Sequence, residues 1–199
     1  MIEIKNLNKI YLKGKKNMVH ALNNINLKID DRETVAIIGE SGAGKSTLLH
    51  IMSCIDNFDG EYYLDNIDIN KLSESKKSKL RSSKIGIVLQ DFALIDDFTV
   101  FENVMTPLYF NKKIKDKKGS VMRALKKTGI ASLKSKKVSQ LSGGQKQRVA
   151  ISRALVTSPE YIFADEPTGS LDSKTSEEIV KMLFDLNRNG ITIVIVTHN

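Results

Sequence analysis

Cysteine occurs once in the 199 residues, at Cys54, so no disulfide can form within the chain, and a reducing compartment such as the cytoplasm suits it. Long apolar runs are missing too. The longest, residues 191–196, is broken by Thr192 and falls far short of the roughly 18–20 residues that cross a bilayer. The opening Met1-Ile2-Glu3-Ile4-Lys5 lacks the apolar core of a secretion signal. There is no internal repeat, low-complexity tract or Pro/Gly-rich linker, so this length is expected to form one domain, with at most a subdomain.

Acidic residues are the scarcer charge: 23 Asp and Glu against 31 Lys and Arg leave a net charge of +8. The lysines cluster at Lys13/Lys15/Lys16, Lys76/Lys77/Lys79, Lys112/Lys113/Lys115/Lys117/Lys118 and Lys134/Lys136/Lys137. Such a surface suits nucleic acid or an anionic cytoplasmic leaflet, and it equally suits plain solvated lysines. Charge alone does not choose.

Four apolar, β-rich runs stand out: Val35–Ile38, Ile85–Leu89, Tyr161–Ala164 and Ile191–Val196. Their lack of alternation predicts strands buried on both faces of a parallel sheet covered by helices. Weaker alternation before residue 34 (Ile2, Ile4, then Ile25, Leu27, Ile29) predicts antiparallel strands beside that core. Residues 91–153 carry helical patterns instead. Thr99 with Glu102 reads as a capping box before Val100, Val104 and Leu108, and Val121, Leu125 and Thr128 mark a helix closed by Gly129. The expected fold is α/β: a parallel-sheet core with an N-terminal antiparallel β subdomain and an inserted α-helical subdomain. Residues 1–90 and 154–199 form the core and 91–153 the insertion. In open α/β sheets ligands sit beyond the carboxyl ends of the strands, so Gly39–Ser46, Gln90, Asp165/Glu166 and His198 are expected to converge on one edge.

Gly39-Glu40-Ser41-Gly42-Ala43-Gly44-Lys45-Ser46 fits the phosphate-binding P-loop pattern G-x-x-x-x-G-K-[ST], with a buried strand before it and the helical run Thr47–Met52 after it. Glycines let successive backbone N–H groups face a phosphate, and the helix N-terminus adds its positive dipole end. In this pattern Lys45 reaches the β- and γ-phosphates and Ser46 ligates Mg²⁺. GTPases, kinases and motors share the pattern, but the N-K-x-D element that reads guanine is absent.

Leu141-Ser142-Gly143-Gly144-Gln145 discriminates. Ser142 and Gln145 form a second capping box, opening a helix through Val149, Ala150, Ala154 and Leu155. The two glycines allow close backbone approach, giving a second anion site. Together the two motifs resemble the nucleotide-binding domain of ABC (ATP-binding cassette) transporters, and the resemblance spans essentially the whole chain. It implies an ATPase using ATP and Mg²⁺. It also implies that two cassettes pair head to tail, each ATP lying between the P-loop of one and the Ser142–Gln145 turn of the other, so that one copy of each motif per chain demands a second subunit.

Further residues match the family pattern. Tyr161–Glu166 resembles its Walker B strand, which implies Asp165 on Mg²⁺ and Glu166 as general base. Pro167–Asp172 resembles its D-loop, although an acid pair after a strand is, by itself, also an ordinary turn. Gln90 falls at the Q-loop, which implies contact with the γ-phosphate and Mg²⁺. His198 matches the switch histidine, and Tyr11 the aromatic that stacks on adenine; a lone Tyr there is also a core or surface residue. Thr47 follows the P-loop into the helix and is counted with the ATP-binding set. His20 and His50 have no such context and read as structural, and Cys54 reads as a small apolar helix residue.

The match departs from the family in two places. Asp31-Arg32-Glu33 stands where the family has a Gly-Glu turn, so a positive φ there would strain Arg32 by roughly 1 kcal/mol. The sequence also ends at Asn199, directly after His198, where family members usually continue, so it reads as truncated or unusually short. Within the family, Gln90–Val104 and Thr168–Asp172 most resemble the lipoprotein-release and macrolide/peptide-export subgroup. That implies an ATP-hydrolysing subunit on the cytoplasmic face of the cell membrane, peripheral to it, driving a separate permease that exports peptides, antibiotics or lipoproteins, with no nucleic-acid partner. The alternatives are a regulatory ABC ATPase that transmits force to a membrane partner without moving solute, and a soluble ABC ATPase linked to nucleic acid.

Overall fold

A computed structural model describes residues 1–12, 14 and 16–198. Lys13 and Lys15 of the first lysine cluster, and Asn199, lie outside the described residues.

The four apolar runs form one parallel sheet. Its strands are β3 (Thr34–Ile38), β6 (Ile85–Val88), β7 (Tyr161–Asp165) and β8 (Thr192–Thr197), in the order β3-β8-β7-β6. A second, antiparallel sheet is built from β1 (Ile2–Tyr11), β2 (Val19–Ile29), β4 (Asp59–Leu64) and the short β5 (Ile67–Asp68), in the order β2-β1-β4-β5. The helices are α1 (Lys45–Met52), α2 (Glu74–Lys84), α3 (Val100–Phe110), α4 (Lys117–Lys127), α5 (Gly143–Leu155) and α6 (Ser173–Arg188). Thr99/Glu102 and Ser142/Gln145 form the two expected capping boxes, at the starts of α3 and α5. Among the described residues no helix is long and apolar enough to cross a membrane.

Side chains of the parallel sheet alternate between two apolar cores. Tyr161, Phe163, Val194 and Val196 join α1 and the antiparallel sheet, whereas Ile162, Ala164, Ile193 and Val88 join α3, α4, α5 and α6. The expected boundary at residue 154 therefore falls inside α5, whose Ala150 and Ala154 pack in the same core as Val88. Close approach of α5 to the sheet requires Gly86, where an added Cβ would stand 2.6 Å from the Ala154 carbonyl oxygen.

Three local expectations are corrected. β3 is not buried on both faces: it is an edge strand, and Ile38 is 68% exposed. Lys77 is not a solvated lysine. It is buried, with Nζ donating to Glu74 and Asn57. Cys54 lies beyond α1 rather than in it, at φ 56°, where its N–H bonds the Ile51 carbonyl and the Ile55 N–H bonds the His50 carbonyl. That pair of bonds is the Schellman closure usually made by glycine. Burial pushes the Cys54 thiol up to about 11, so it stays protonated and inert.

Arg32 adopts φ 64°, the left-handed conformation expected of the glycine it replaces. Its N–H donates to Thr192 Oγ1 at 2.8 Å and its carbonyl accepts from Asn187 Nδ2 at 2.7 Å, which hold the turn against the strain. Nearby, a polar tie joins the two sheets. Tyr161 at the start of β7 donates to Asp65 of the β4–β5 turn, and Lys84 pairs with both Asp65 and Glu160. Burial alone would raise the Asp65 carboxyl, but hydrogen bonds from Lys84, Tyr161 and the Met1 ammonium prevail and bring it down to about 2.

Candidate functional site

The P-loop connects β3 to α1. Gly42 and Gly44 take φ 82° and 84°, and Gly44 is the N-cap of α1, with no side chain bonded to the helix's first N–H groups. Gly44 also passes so close to β2 that an added Cβ would lie 2.3 Å from the Ala21 carbonyl oxygen. Lys45 folds back over the loop and donates to the carbonyls of Gly39 and Glu40, each at 2.8 Å. Within the loop the Ala43 N–H is bonded to the Glu40 carbonyl, and the N–H groups at the start of α1 face outward with a lysine ammonium beside them, which is the geometry that receives phosphate.

A cavity of about 580 Å³ opens over this loop. Of the residues singled out in the sequence it gathers Tyr11, Ser41, Gly42, Gly44, Lys45, Ser46, Thr47, Gln90, Glu166 and His198. Gly39, Glu40 and Ala43 belong to the same loop but do not line the cavity. Asp165 is buried at the end of β7, and its Oδ1 has no hydrogen-bond partner among the described residues. Sequence reasoning missed Val19, His20 and Ala21, which complete the wall from β2. The signal was available in the hairpin register, since Tyr11 pairs with Val19 and Ile10 with His20. Tyr11 is tied at both ends of its chemistry: its hydroxyl donates to Asp56 at 2.6 Å and Lys9 Nζ sits 4.8 Å from the ring centroid. Burial and the Asp56 contact raise its phenol.

Glu166 is held with unusual firmness. Its backbone is left-handed, φ 43°, fixed by its N–H on the Val196 carbonyl and its carbonyl on the Gly169 N–H. Oε2 accepts from Thr197 Oγ1 at 3.2 Å, and Oε1 lies 2.8 Å from His198 Nδ1. A strained backbone that over-determined surroundings keep in place is a mark of function. Both anchors come from the end of β8, paired with β7 at Asp165↔Val196, so the sheet's register aims the carboxylate at the cavity.

Ser142, Gly143, Gly144 and Gln145 lie outside this cavity. Ser142 and Gly143 are exposed at the start of α5. There Ser142 Oγ accepts from the Gln145 N–H at 3.4 Å and Gln145 Oε1 from the Ser142 N–H at 3.2 Å.

The family profile described as ABC transporter matches residues 22–169, from β2 through the turn after Glu166. The chain belongs to the ABC transporter family. It is an ATP-binding cassette, an ATPase with the α/β P-loop fold. The cassette is 45% identical to an uncharacterized ABC transporter ATP-binding protein, YvrO, of Bacillus subtilis, over the whole of this chain and 87% of that one. It is 43% identical to the macrolide export ATP-binding/permease protein MacB of Mannheimia succiniciproducens, again over its full length but only 31% of that longer protein. Among solved structures it superposes on the ATP-binding cassette MJ0796 with a TM-score of 0.91 at 44% identity, covering all of this chain and 88% of the other. That structure is a dimer in a post-hydrolysis state bound to ADP and Pi.

Proposed function

We propose that the cassette powers a membrane permease of the export type from the cytoplasmic face of the membrane, by closing with a second copy around two molecules of ATP. The observation that carries this reading is the separation of its two anion sites: the P-loop opens into the cavity, while the Ser142–Gln145 turn faces solvent outside it. A second copy related by a two-fold axis brings the turn of each over the P-loop of the other. The dimeric relative supports the pairing, and the macrolide-export relative supports the export assignment.

Within the closed site Lys45 exchanges its two carbonyls for phosphate oxygens. Glu166, aimed by Thr197 and His198, takes the proton of the attacking water as general base. The residues present fit Mg²⁺: Asp165 carries a buried oxygen without a partner, and Ser46 brings its hydroxyl to the start of α1 and Gln90 its amide to the end of β6. One carboxylate and one hydroxyl suffice for this ion, which takes its other ligands from phosphate and water. When bound, it neutralises charge developing on the phosphates.

Coupling to the permease runs through the segment after Gln90. Phe92 and Ala93 are both left-handed, φ 62° and 45°, and their carbonyls accept from the Arg153 guanidinium of α5. Arg153 also lines a mostly apolar groove of about 390 Å³ between α2, β6, α3 and α5, walled by Arg81, Ile85, Leu89, Pro107 and Phe110. A cytoplasmic helix of the permease in this groove presses on the same arginine that shapes the Gln90 segment, so movement at the ATP site reaches the permease.

The test is light scattering on a sizing column with Glu166→Gln, with and without ATP. Hydrolysis should fall by about 10²–10⁴-fold, the range for loss of a general base. ATP should convert the variant to a dimer, and Ser142→Arg should abolish that dimer. A protein that binds ATP yet stays monomeric overturns the shared-site reading.

A further inference from the structure

The end of α3 breaks the usual rule for aromatic residues. Tyr109 is 64% exposed and Phe110 78%, although the preceding turns of α3 bury Val104, Met105 and Leu108. Directly after them come Lys112, Lys113, Lys115, Lys117 and Lys118. Among the described residues none of these five has an ion-pair partner, and Lys117 lies with its Nζ 5.7 Å from the Tyr109 ring centroid. The acid in their midst, Asp116, is engaged elsewhere: it caps α4 by accepting from Gly119 N–H and pairs with Arg123 at 3.3 Å. Asn111 ties this segment to α2 by donating to the Ser82 carbonyl at 2.9 Å, and α2 adds exposed Lys79 and Lys76 about one and two turns before Ser82.

We propose that this patch, Tyr109 and Phe110 with the lysines of residues 112–118, is a docking surface for a bilayer containing anionic lipids. Aromatic rings seat at the water–membrane interface, and clustered lysines are drawn to anionic headgroups within a Debye length of about 8–10 Å. Single-stranded nucleic acid fits less well. It asks for a positively charged groove that tracks its backbone. The groove here is mostly apolar, its two cations Arg81 and Arg153 already donate to the carbonyls of Cys54, Phe92 and Ala93, and the lysines are not in its lining. The proposal rests on the permease reading for orientation: Phe110 and Pro107 stand at the edge of the groove assigned to the membrane partner, whereas Tyr109 and the lysines of residues 112–118 are not in its lining, so the patch lies beside that partner and faces the lipid around it.

The experiment is co-sedimentation of the full chain with vesicles of phosphatidylcholine alone and of phosphatidylcholine containing about a third phosphatidylglycerol, at low and high salt. Binding is expected only to the anionic vesicles and is expected to be lost in high salt. The combined Lys112→Gln, Lys113→Gln and Lys115→Gln variant should weaken it on the order of tenfold or more and leave basal ATPase activity unchanged. Tyr109→Ser with Phe110→Ser should weaken it independently of salt. A control removing equal charge elsewhere (Lys134, Lys136 and Lys137 to Gln) should bind like the parent. The proposal is overturned by equal binding to neutral vesicles, by no binding, by an equal loss in the control, or by duplex DNA that displaces the vesicles. Closure of the pair by ATP needs no lipid. A protein that dimerises but ignores vesicles therefore defeats this proposal alone, and one that binds vesicles but never dimerises defeats the shared-site reading alone.

Discussion

Two glycine-rich turns open helices in this molecule, and they leave their N–H donors in opposite conditions. At α1 the cap is Gly44 in a left-handed conformation, which has no side chain to bond the first turn, so among the described residues its donors are left uncapped. At α5 the cap is Ser142, and its hydroxyl and the Gln145 amide bond the turn's own backbone through contacts of 3.4 and 3.2 Å. The first turn is shaped for phosphate by glycines that take a left-handed backbone without strain, with Gly44 held against β2. The second is satisfied by itself in the single chain, through long and therefore weak bonds that an arriving phosphate can replace at little cost. One copy alone thus has a phosphate turn that is open and a signature turn that is bonded to itself.

Substituting the glycines should break this contrast most sharply. Gly44→Ala meets both a left-handed φ and the Ala21 carbonyl, so a loss of about 3 kcal/mol in urea unfolding and of nucleotide binding is expected. Gly143→Ala meets only the end of the Leu171 side chain at 3.4 Å, so stability should change by less than about 0.5 kcal/mol. Equal damage from the two would show that the turns are alike after all. Ser142→Ala removes the resting cap and should lower stability by about 1 kcal/mol. In the Glu166→Gln background it should also weaken the ATP-dependent dimer about tenfold, through loss of a hydroxyl bond to a charged group. A last effect spares both turns. Asp65, depressed to about 2 from an ordinary 3.8, stabilises the fold above pH 4, and that contribution is lost as pH falls from about 4 toward 2. Asp65→Asn should cost about 1 kcal/mol at neutral pH, once solvent screening is allowed for, and flatten the acid limb of the unfolding curve, leaving ATP binding intact.

What could be read from the residues follows from burial and local bonding. β6, β7 and β8 were visible as apolar runs because neighbours cover them, and α3 and α5 because their capping boxes are written in adjacent residues. Both β3 and β6 are edges of this sheet, and the run in β3 could not reveal that it alone leaves residues exposed, since that depends on what packs over it. β4 escaped because Asp59-Gly60-Glu61 opens it without an apolar signal, although Tyr62 and Leu64 are fully buried. α6 escaped because only Ile179, Leu183 and Leu186 of its 16 residues are buried, a narrow stripe on a polar helix. In the site, fixed-spacing motifs carried Gly39–Ser46 and Asp165–Glu166, while His20 came into view only with the β1–β2 register. That Lys45 rests on carbonyls and Ser142 on Gln145 is a matter of rotamers, which no motif encodes.

The four-stranded parallel sheet is the common wall of both apolar cores, and this sets an order to how the molecule opens. β7 is bonded on both sides, by β6 and β8, and every one of its residues is buried. Exchange of its amide hydrogens for deuterium is therefore expected to need both cores to open, and to be slower than exchange in α3 and α4. Glu166 follows directly on that doubly bonded strand, so it is expected to hold its place while the helices loosen.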